Sequence, residues 1–231
     1  MIMRKDLVIT IDGPAGAGKS TVSKALARKL SFLYLDTGAL YRAVAYTVLK
    51  KGILPDDEKA LSDLCSRLKI YLKYVEGTLN VFVDDENVTD KIRNEEVGLL
   101  ASTVSAIPVV RKILLSIQQE AGEQGGIVAE GRDMGTVVFP DADCKFYLDA
   151  RVEERALRRY KELLARGKRV DYKKTERELH VRDRQDRERE IAPLMASQDA
   201  IIVDSTNIGV SEVVDQLMSI IKKHPRYDSS Q

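Results

Sequence analysis

The sequence predicts an α/β fold built on a mostly parallel sheet. Short apolar segments that suit strands buried on both faces alternate along the 231-residue chain with longer segments of helical periodicity. A glycine-rich turn at residues 13–21 joins the first strand to the first helix. Residues 69–90 depart from this alternation, because two segments with period-two patterning follow one another there and predict a small antiparallel β insert.

The strands of the main sheet are expected where the apolar runs are short. The first reads Leu7-Val8-Ile9-Thr10-Ile11, and the helix after it carries apolar residues at positions 22, 26 and 30 of one face. The five expected strands cover 7–12, 32–36, 126–130, 144–149 and 200–204. Further helices are expected near 39–51, 57–67, 94–105, 109–124, 152–166, 174–190 and 209–223. Within the insert, Glu76-Gly77 and residues 84–87 are typical of turns.

Composition excludes some classes of function. The chain is 44% hydrophobic and 32% charged with a formal net charge of +1, so no global basic field favours nucleic acid or a membrane surface. Residues 151–190 are locally different, since they hold 15 Lys and Arg, of which 11 are Arg, against 10 Asp and Glu. Arginine suits bidentate phosphate recognition, which makes this segment a candidate for binding phosphate groups.

Cysteine usage and hydropathy indicate where the protein works. Cys65 and Cys144 are far apart and form no C-x-x-C pair, so we expect two buried free thiols in a reducing compartment. Residues 1–6 have no apolar stretch of a signal peptide, and no segment approaches about 18 consecutive apolar residues. These patterns predict a cytoplasmic protein without a membrane partner.

The turn at 13–21 fits the P-loop pattern G-x-x-x-x-G-K-[ST] in its required context of strand, turn and helix. Its glycines allow close approach of the backbone to a phosphate, and the helix N-terminus offers N–H groups to the anion. The pattern predicts that Lys19 reaches the β- and γ-phosphates and that the Ser20 hydroxyl holds Mg²⁺. The residues expected to bind the triphosphate are Gly13, Pro14, Ala15, Gly16, Ala17, Gly18, Lys19, Ser20 and Thr21. The pattern leaves the phosphate acceptor open.

Two further segments follow strands and therefore lie at the carboxyl edge of the sheet, where ligands of open α/β sheets bind. After the second strand, Asp36 or Thr37 can cap a helix, but capping explains neither Tyr41 nor Arg42, and a substrate role is favoured for Arg42. After the third, Arg132 and Asp133 stand between two glycines, where a local ion pair in a turn and a role in substrate binding are equally good interpretations.

Other charged residues have a plain interpretation when taken alone. The segment containing Ser102 and Arg111 resembles a core helix followed by a solvated arginine. Arg182, Asp186 and Arg189 are spaced i, i+4, i+7 on one predicted helix face, and a solvated, salt-bridged helix is favoured.

Three arginines of the helix expected near 152–166 predict a mobile flap, or lid. They share one face of the predicted helix, and such a flap could close over a triphosphate and exclude water. They are Arg155, Arg158 and Arg159. No D-x-x-G of a GTPase switch follows an apolar strand, and no H-R-D and D-F-G pair of a protein kinase is present.

Taken together, these motifs resemble the bacterial cytidylate kinases, a family of P-loop nucleoside monophosphate kinases, from about residue 6 to about residue 223. The marks are the P-loop, Asp36-Thr37-Gly38-Ala39-Leu40-Tyr41-Arg42, the β insert, Gly131-Arg132-Asp133-Met134-Gly135-Thr136 and the run from Arg182 to Arg189. Thr37 departs from the serine that is frequent in the family, but keeps the hydroxyl.

The resemblance implies one kinase domain over residues 1–230, as a three-layer P-loop NTPase with a five-stranded parallel sheet. Its core would cover about 1–36, 106–151 and 191–225. A monophosphate-binding region with the antiparallel β insert would cover about 37–105, and an arginine-bearing lid with a substrate helix about 152–190.

The resemblance also implies the site and the reaction. ATP with Mg²⁺ would donate a phosphoryl group to CMP or dCMP, in a monomer. Arg42, Arg132 and Arg189 would bind the CMP phosphate, Thr37, Arg111 and Asp133 the cytosine, and Ser102, Arg182 and Asp186 the sugar, with Tyr41 beside them. Lys19, Arg42, Arg132 and Arg189 would be catalytic. A kinase for UMP or for another small acceptor such as shikimate, and a regulatory P-loop NTPase, are the alternatives.

Overall fold

A computed structural model of the protein describes residues 7–75 and 78–227. Its strands are β1 (Val8–Asp12), β2 (Leu33–Asp36), β3 (Ile70–Val75), β4 (Thr78–Val83), β5 (Glu86–Asn87), β6 (Ile127–Gly131), β7 (Cys144–Asp149) and β8 (Ile201–Asp204). Its helices are α1 (Lys19–Leu30), α2 (Thr37–Lys51), α3 (Glu58–Arg67), α4 (Glu95–Val104), α5 (Pro108–Gly122), α6 (Val152–Ala165), α7 (Tyr172–Glu188) and α8 (Val210–Ile221).

The main sheet has five strands in the order β2-β6-β1-β7-β8. β1 runs parallel to both β6 and β7, and β7 runs parallel to β8. The five strands expected from the sequence and their parallel arrangement are therefore confirmed. Because β1 is central and parallel, its carboxyl end delivers the P-loop to the edge of the sheet where β6 and β7 also end.

The chain divides into two compact units. The first contains Met1–Tyr34 and Gln124–Gln231, and the second contains Leu35–Glu123. In the first unit, the predicted apolar face of α1 is buried with Phe146 of β7 and Leu217 of α8. In the second unit, α2 packs on α4 and α5, and Val81 and Val83 of the β insert join the same core. Helix α5, which the sequence assigned to the core of the kinase domain, lies in this second unit.

Short polar side chains cap the N-termini of α2, α3, α4 and α7. The side chain that precedes the helix accepts a hydrogen bond from the backbone N–H three residues on, and such a cap typically contributes about 1 kcal/mol. The residues that cap α2, α3, α4 and α7 in this way are Asp36, Asp57, Asn94 and Asp171.

The β insert is an antiparallel sheet in the order β3-β4-β5. Tyr71 and Phe82 are opposite each other, and their rings stack with centroids 5.2 Å apart. The expectation of a turn over residues 84–87 is wrong in its second half, because Glu86–Asn87 forms β5 and pairs with β4. Asp84 and Asp85 take φ values of 46° and 68° and complete the reversal in two residues. The turn expected at Glu76-Gly77 lies outside the described residues.

One element was not expected. Residues Met134–Val138 form a π-helical turn directly after Asp133. π-Helical turns are rare and occur frequently at functional sites.

The described residues were also assessed for membrane-spanning helices. Within 7–75 and 78–227 no single helix is long and apolar enough to cross a membrane. Helices α4 and α5 together reach the required length and composition, but their axes are bent by 101°.

Candidate active site

The P-loop requires glycine where it leaves β1. Gly13 has φ +147°, and a Cβ atom there would lie 2.0 Å from the carbonyl oxygen of Leu148. Helix α1 begins at Lys19, whose buried Nζ donates a hydrogen bond to the Pro14 carbonyl at 2.7 Å. Ser20 stands beside it in the first turn and is exposed. The loop thus has the backbone of a phosphate cradle, with its lysine folded onto the loop.

Lys19 lies in a strongly perturbed electrostatic environment. Its pKa is lowered from 10.5 to about 7, chiefly by burial and secondly by the nearby Arg132, whereas Glu130, Asp186 and Asp12 partly offset both effects. A polyphosphate bound at the loop favours the charged ammonium, because opposite charges at short range stabilise each other. The P-loop pattern assigns Lys19 to the donor phosphates, and the resemblance assigns Arg132 to the acceptor phosphate. The positive charge of Arg132 is close enough to lower the pKa of Lys19.

Asp12, the last residue of β1, connects the P-loop strand to the turn after β6. Its carboxylate accepts hydrogen bonds from the backbone N–H groups of Met134 and Gly135, both at 2.8 Å. Burial raises its pKa from 3.8 to about 6, although these two hydrogen bonds oppose the rise. Asp12 thereby fixes the π-helical turn that directly follows Arg132 and Asp133.

Arg132 and Asp133 form ion pairs with the segment at the end of α7. Arg132 Nε donates to Asp186 Oδ2 at 2.6 Å, and Arg189 Nη2 lies 3.5 Å from Asp133 Oδ1. Burial acts to lower the pKa of Arg132, but the adjacent Asp186 outweighs it and the pKa is raised. The turn after β6 and the end of α7, which the sequence patterns did not connect, are therefore in contact within the first unit.

The predicted helical face extends to the C-terminal cap of α7. Arg182 and Asp186 lie on α7 one turn apart, and Arg189 directly follows the last helical residue, Glu188. The N–H of Arg189 donates to the Gln185 carbonyl at 3.2 Å in the helical pattern, and its Nε donates to the Ala192 carbonyl at 2.7 Å. The solvated helix favoured from spacing alone is wrong, since Asp186 and Arg189 are buried.

The three arginines expected in a lid have different environments. Arg155 is buried, pairs with Asp183 of α7, and donates to the carbonyl oxygens of Ala15 and Ala150, both at 2.9 Å. Arg158 donates to the Ser205 hydroxyl at 3.0 Å. Arg159 pairs with Glu162 at 2.7 Å. Closure of these residues over a triphosphate stays a prediction.

The second unit holds the remaining predicted residues. Asp36 caps α2 through the N–H of Ala39 at 3.0 Å and also pairs with Arg42 at 2.7 Å, so capping and charge pairing coexist. Thr37 begins α2 and Ser102 lies on α4, and both side chains are buried.

Arg111 is buried, and the solvated position favoured from its segment alone is wrong. Its Nη1 donates to the Ser105 carbonyl at 3.1 Å. Its guanidinium carbon lies 5.7 Å from the centroid of the Tyr41 ring, within the range of a cation–π interaction.

The sequence patterns assigned no role to Asp12 or Asp183. Asp12 precedes Gly13 directly, so its position at the end of a buried strand was a usable signal. Asp183 is one acidic residue in a highly charged helix, and only its buried contacts with Ala15 and Arg155 distinguish it.

The fold and the loop together define a class of protein. A parallel sheet whose central strand leads through a glycine-rich turn into a helix that starts at a buried lysine is the architecture of a P-loop nucleotide-binding kinase or NTPase.

Comparison with known proteins narrows this class. The family model described as cytidylate kinase matches residues 9–223. A cytidylate kinase of Geobacter sulfurreducens is 46% identical over 223 residues and 96% of each chain. Another, from Geobacillus sp. strain WCH70, is 47% identical over 221 residues, covering 96% of this chain and 99% of its own. The chain belongs to the cytidylate kinase family.

Among solved structures, an uncharacterised protein from Eubacterium ventriosum is similar to this chain. The TM-score is 0.50 at 14% identity, and the match covers 94% of this chain and 98% of that chain. At this identity the similarity concerns the fold alone.

Proposed function

We propose that the protein transfers the γ-phosphoryl group of ATP to CMP or dCMP, giving ADP and CDP or dCDP. Membership of the cytidylate kinase family supports this reaction. The observation that carries it is the environment of Lys19, where the P-loop lysine shares its electrostatic neighbourhood with Arg132 and Asp186. Phosphoryl transfer between two nucleotides requires that the lysine for the donor phosphates lies close to the residues that bind the acceptor.

The chemistry needs no general base. An oxygen of the CMP phosphate is already anionic near neutral pH and attacks the γ-phosphorus, while the bond from that phosphorus to the β–γ bridging oxygen breaks and leaves ADP. Catalysis then consists of alignment and neutralisation of charge on the transferring group. Lys19 and the arginines at 42, 132 and 189 supply that positive charge.

The resemblance assigns the acceptor residues. For the phosphate they are Arg42, Arg132 and Arg189, for the cytosine Thr37, Arg111 and Asp133, and for the sugar Ser102, Arg182 and Asp186, with Tyr41 supporting Arg111. Each of the three phosphate-binding arginines is paired with a carboxylate in the structure, since Asp36, Asp186 and Asp133 pair with Arg42, Arg132 and Arg189. Each arginine would exchange part of this contact for the phosphate.

Asp133 would select the base. A carboxylate accepts a hydrogen bond from the exocyclic amino group of cytosine, whereas uracil presents a carbonyl oxygen at that position. Asp133 is buried, and placing the carbonyl oxygen of uracil against a buried carboxylate would bring two acceptors together, which is costly. We therefore expect CMP and dCMP to be preferred to UMP.

A bound Mg²⁺ would neutralise phosphate charge during transfer. A hydroxyl oxygen is a hard ligand of the kind that Mg²⁺ prefers, and the other ligands would be phosphate oxygens and water. Ser20 offers an exposed hydroxyl in the first turn of α1. Asp12 already accepts two backbone N–H groups.

We further expect a monomer acting in the cytoplasm. Two buried free thiols, Cys65 and Cys144, fit a reducing compartment. The test of the proposed reaction is an acceptor panel of CMP, dCMP, UMP, AMP and shikimate with ATP and Mg²⁺. Stoichiometric CDP and ADP from CMP supports it, whereas acceptor-independent release of ADP supports a regulatory NTPase.

A further inference from the structure

A buried ion pair holds the beginning of the P-loop. Asp183 of α7 accepts the backbone N–H of Ala15 on Oδ1 at 3.1 Å and pairs with Arg155 through Oδ2. Arg155 of α6 returns a hydrogen bond to the carbonyl of the same Ala15 at 2.9 Å. Both backbone polar groups of one P-loop residue are therefore satisfied by a pair of charged side chains that are 5% and 7% exposed.

The next residue of the loop packs against the same two helices. A Cβ atom at Gly16 would meet the carbonyl oxygen of Arg155 at 2.9 Å and the side chain of Leu179 at 3.1 Å. Leu179 and Asp183 are one helical turn apart, so a single face of α7 covers the loop. Gly16 has φ +76°, and this left-handed conformation is held between α6 and α7.

A buried ion pair is a weak device for stability. Removing two charges from water costs several kcal/mol per ion, and an apolar pair of similar volume is often equally stable. The contacts of this pair are concentrated on Ala15, whose N–H donates to Asp183 and whose carbonyl accepts from Arg155. The Arg155–Asp183 pair is therefore better placed to fix the backbone conformation of the P-loop than to stabilise the hydrophobic core.

We propose that Arg155 and Asp183 are positioning residues for the donor nucleotide, which fix the Ala15-Gly16 segment so that the later N–H groups of the loop face the phosphates. Arg155 then acts through the loop backbone, in contrast to the direct lid contact expected from the sequence. Ala15 donates to Asp183 and not to ATP. The inference rests on the proposed function only in taking ATP as the ligand.

The experiment measures binding of a non-hydrolysable ATP analogue with Mg²⁺ by calorimetry, without acceptor, beside urea unfolding. The variants are Asp183→Asn, Arg155→Lys and the double variant Arg155→Met/Asp183→Leu, with Arg184→Met, exposed on the same helix, as the control. We expect about tenfold weaker binding in all three test variants and less than about twofold change in the control. Asp183→Asn can still accept from the Ala15 N–H but loses the ion pair with Arg155, whereas Arg155→Lys has a single nitrogen for the contacts with Asp183, Ala15 and Ala150. The double variant loses both hydrogen bonds to Ala15. The KM for ATP should rise by a similar factor, and the KM for CMP by much less.

The double variant separates positioning from stability. Removing both charges together leaves neither one buried and unpaired, so its unfolding midpoint should recover towards the wild type while its weak binding persists. Wild-type affinity in the double variant would overturn the proposal. Wild-type affinity in Arg155→Lys would overturn it as well. Because Arg155→Lys keeps the positive charge, it remains a usable test if Asp183→Asn does not fold. Because binding is measured without acceptor, absence of CMP phosphorylation would contradict the proposed function and leave this result intact.

Discussion

Arg132 and Asp186 are 54 positions apart in the chain, yet Arg132 Nε donates to Asp186 Oδ2 at 2.6 Å. The contact joins the turn after β6 to helix α7, and the Asp133–Arg189 contact joins the same two segments. Both pairs lie largely out of solvent, where charge interactions are stronger than at the surface. Arg132 and Arg189, the two arginines of the first unit that are proposed to bind the acceptor phosphate, are thus each paired with a carboxylate.

Arg132→Lys tests the geometry of this contact. Lysine keeps the charge but cannot reproduce the planar fork that can address a carboxylate and a phosphate together. We expect the KM for CMP to rise about tenfold, with a smaller effect on the KM for ATP, since a charge-assisted hydrogen bond is lost. Steady-state kinetics with each substrate varied in turn measures both constants.

Arg226→Lys is the matched control, because Arg226 pairs with Asp143 at the same 2.6 Å but is about half exposed. Surface pairs contribute little, so its kinetics should equal those of the wild type. Equal KM values for CMP in Arg132→Lys and the wild type would contradict the role given to Arg132.

Lys19→Met removes the P-loop ammonium. Turnover should fall by about 10²–10³-fold or more, because a charge contact to the transferring phosphoryl group is lost. Methionine matches the length of the lysine stem and avoids burying a charge, so the urea midpoint should be at least that of the wild type. Turnover close to wild type in a folded variant would show that Lys19 has no such role.

Asp133→Ala tests base selection. The ratio of kcat/KM for CMP to that for UMP should fall towards one, since the acceptor for the cytosine amino group is gone. Asp133→Asn, which can present a carbonyl or an amide to the base, should give an intermediate ratio. An unchanged ratio in Asp133→Ala would assign the discrimination to other residues.

Asp12 predicts a specific pH dependence of stability. Burial raises its pKa from 3.8 to about 6 in the folded protein, so the native state binds an additional proton between these values. The stability contributed by Asp12 is therefore fully present below pH 3.8 and is lost, by about 3 kcal/mol, as the pH rises through 6. Asp12→Asn keeps one acceptor for the turn and lacks the titration.

Urea unfolding of the wild type and Asp12→Asn at intervals from pH 3.5 to 7 measures this contribution, because the other titrating groups are common to both proteins. The free energy of unfolding of the wild type should decline relative to that of the variant across the window. Parallel profiles would mean that Asp12 ionises in the folded protein as it does in water.

The strands and helices were predictable because burial and periodicity are local properties of the sequence. Residues 126–130 and 144–149 are short apolar runs, and β6 and β7 appear there. The P-loop was equally readable, since its glycines and Lys19 are adjacent. What a local pattern could not show was pairing over long separations, such as Arg155 with Asp183 or Arg132 with Asp186.

The errors have a common physical origin. The helix carrying Asp186 and Arg189 was expected to be solvated because of its charge spacing, but Asp186 pairs with Arg132 and both residues are buried. Arg111 was expected in solvent, but Tyr41 and the Ser105 carbonyl provide a buried environment for it. In both cases tertiary contacts, which a single segment does not encode, overrode the local expectation.

The central claim is that this P-loop protein phosphorylates a cytidine monophosphate. The direct measurement is formation of ADP and of phosphorylated acceptor, quantified together, with ATP, Mg²⁺ and either CMP, dCMP, UMP or no acceptor. The account predicts one CDP for each ADP with CMP, a comparable reaction with dCMP, a much lower kcat/KM with UMP, and slow ADP release without acceptor. Rapid ADP release without acceptor, or preference for UMP over CMP, would contradict it.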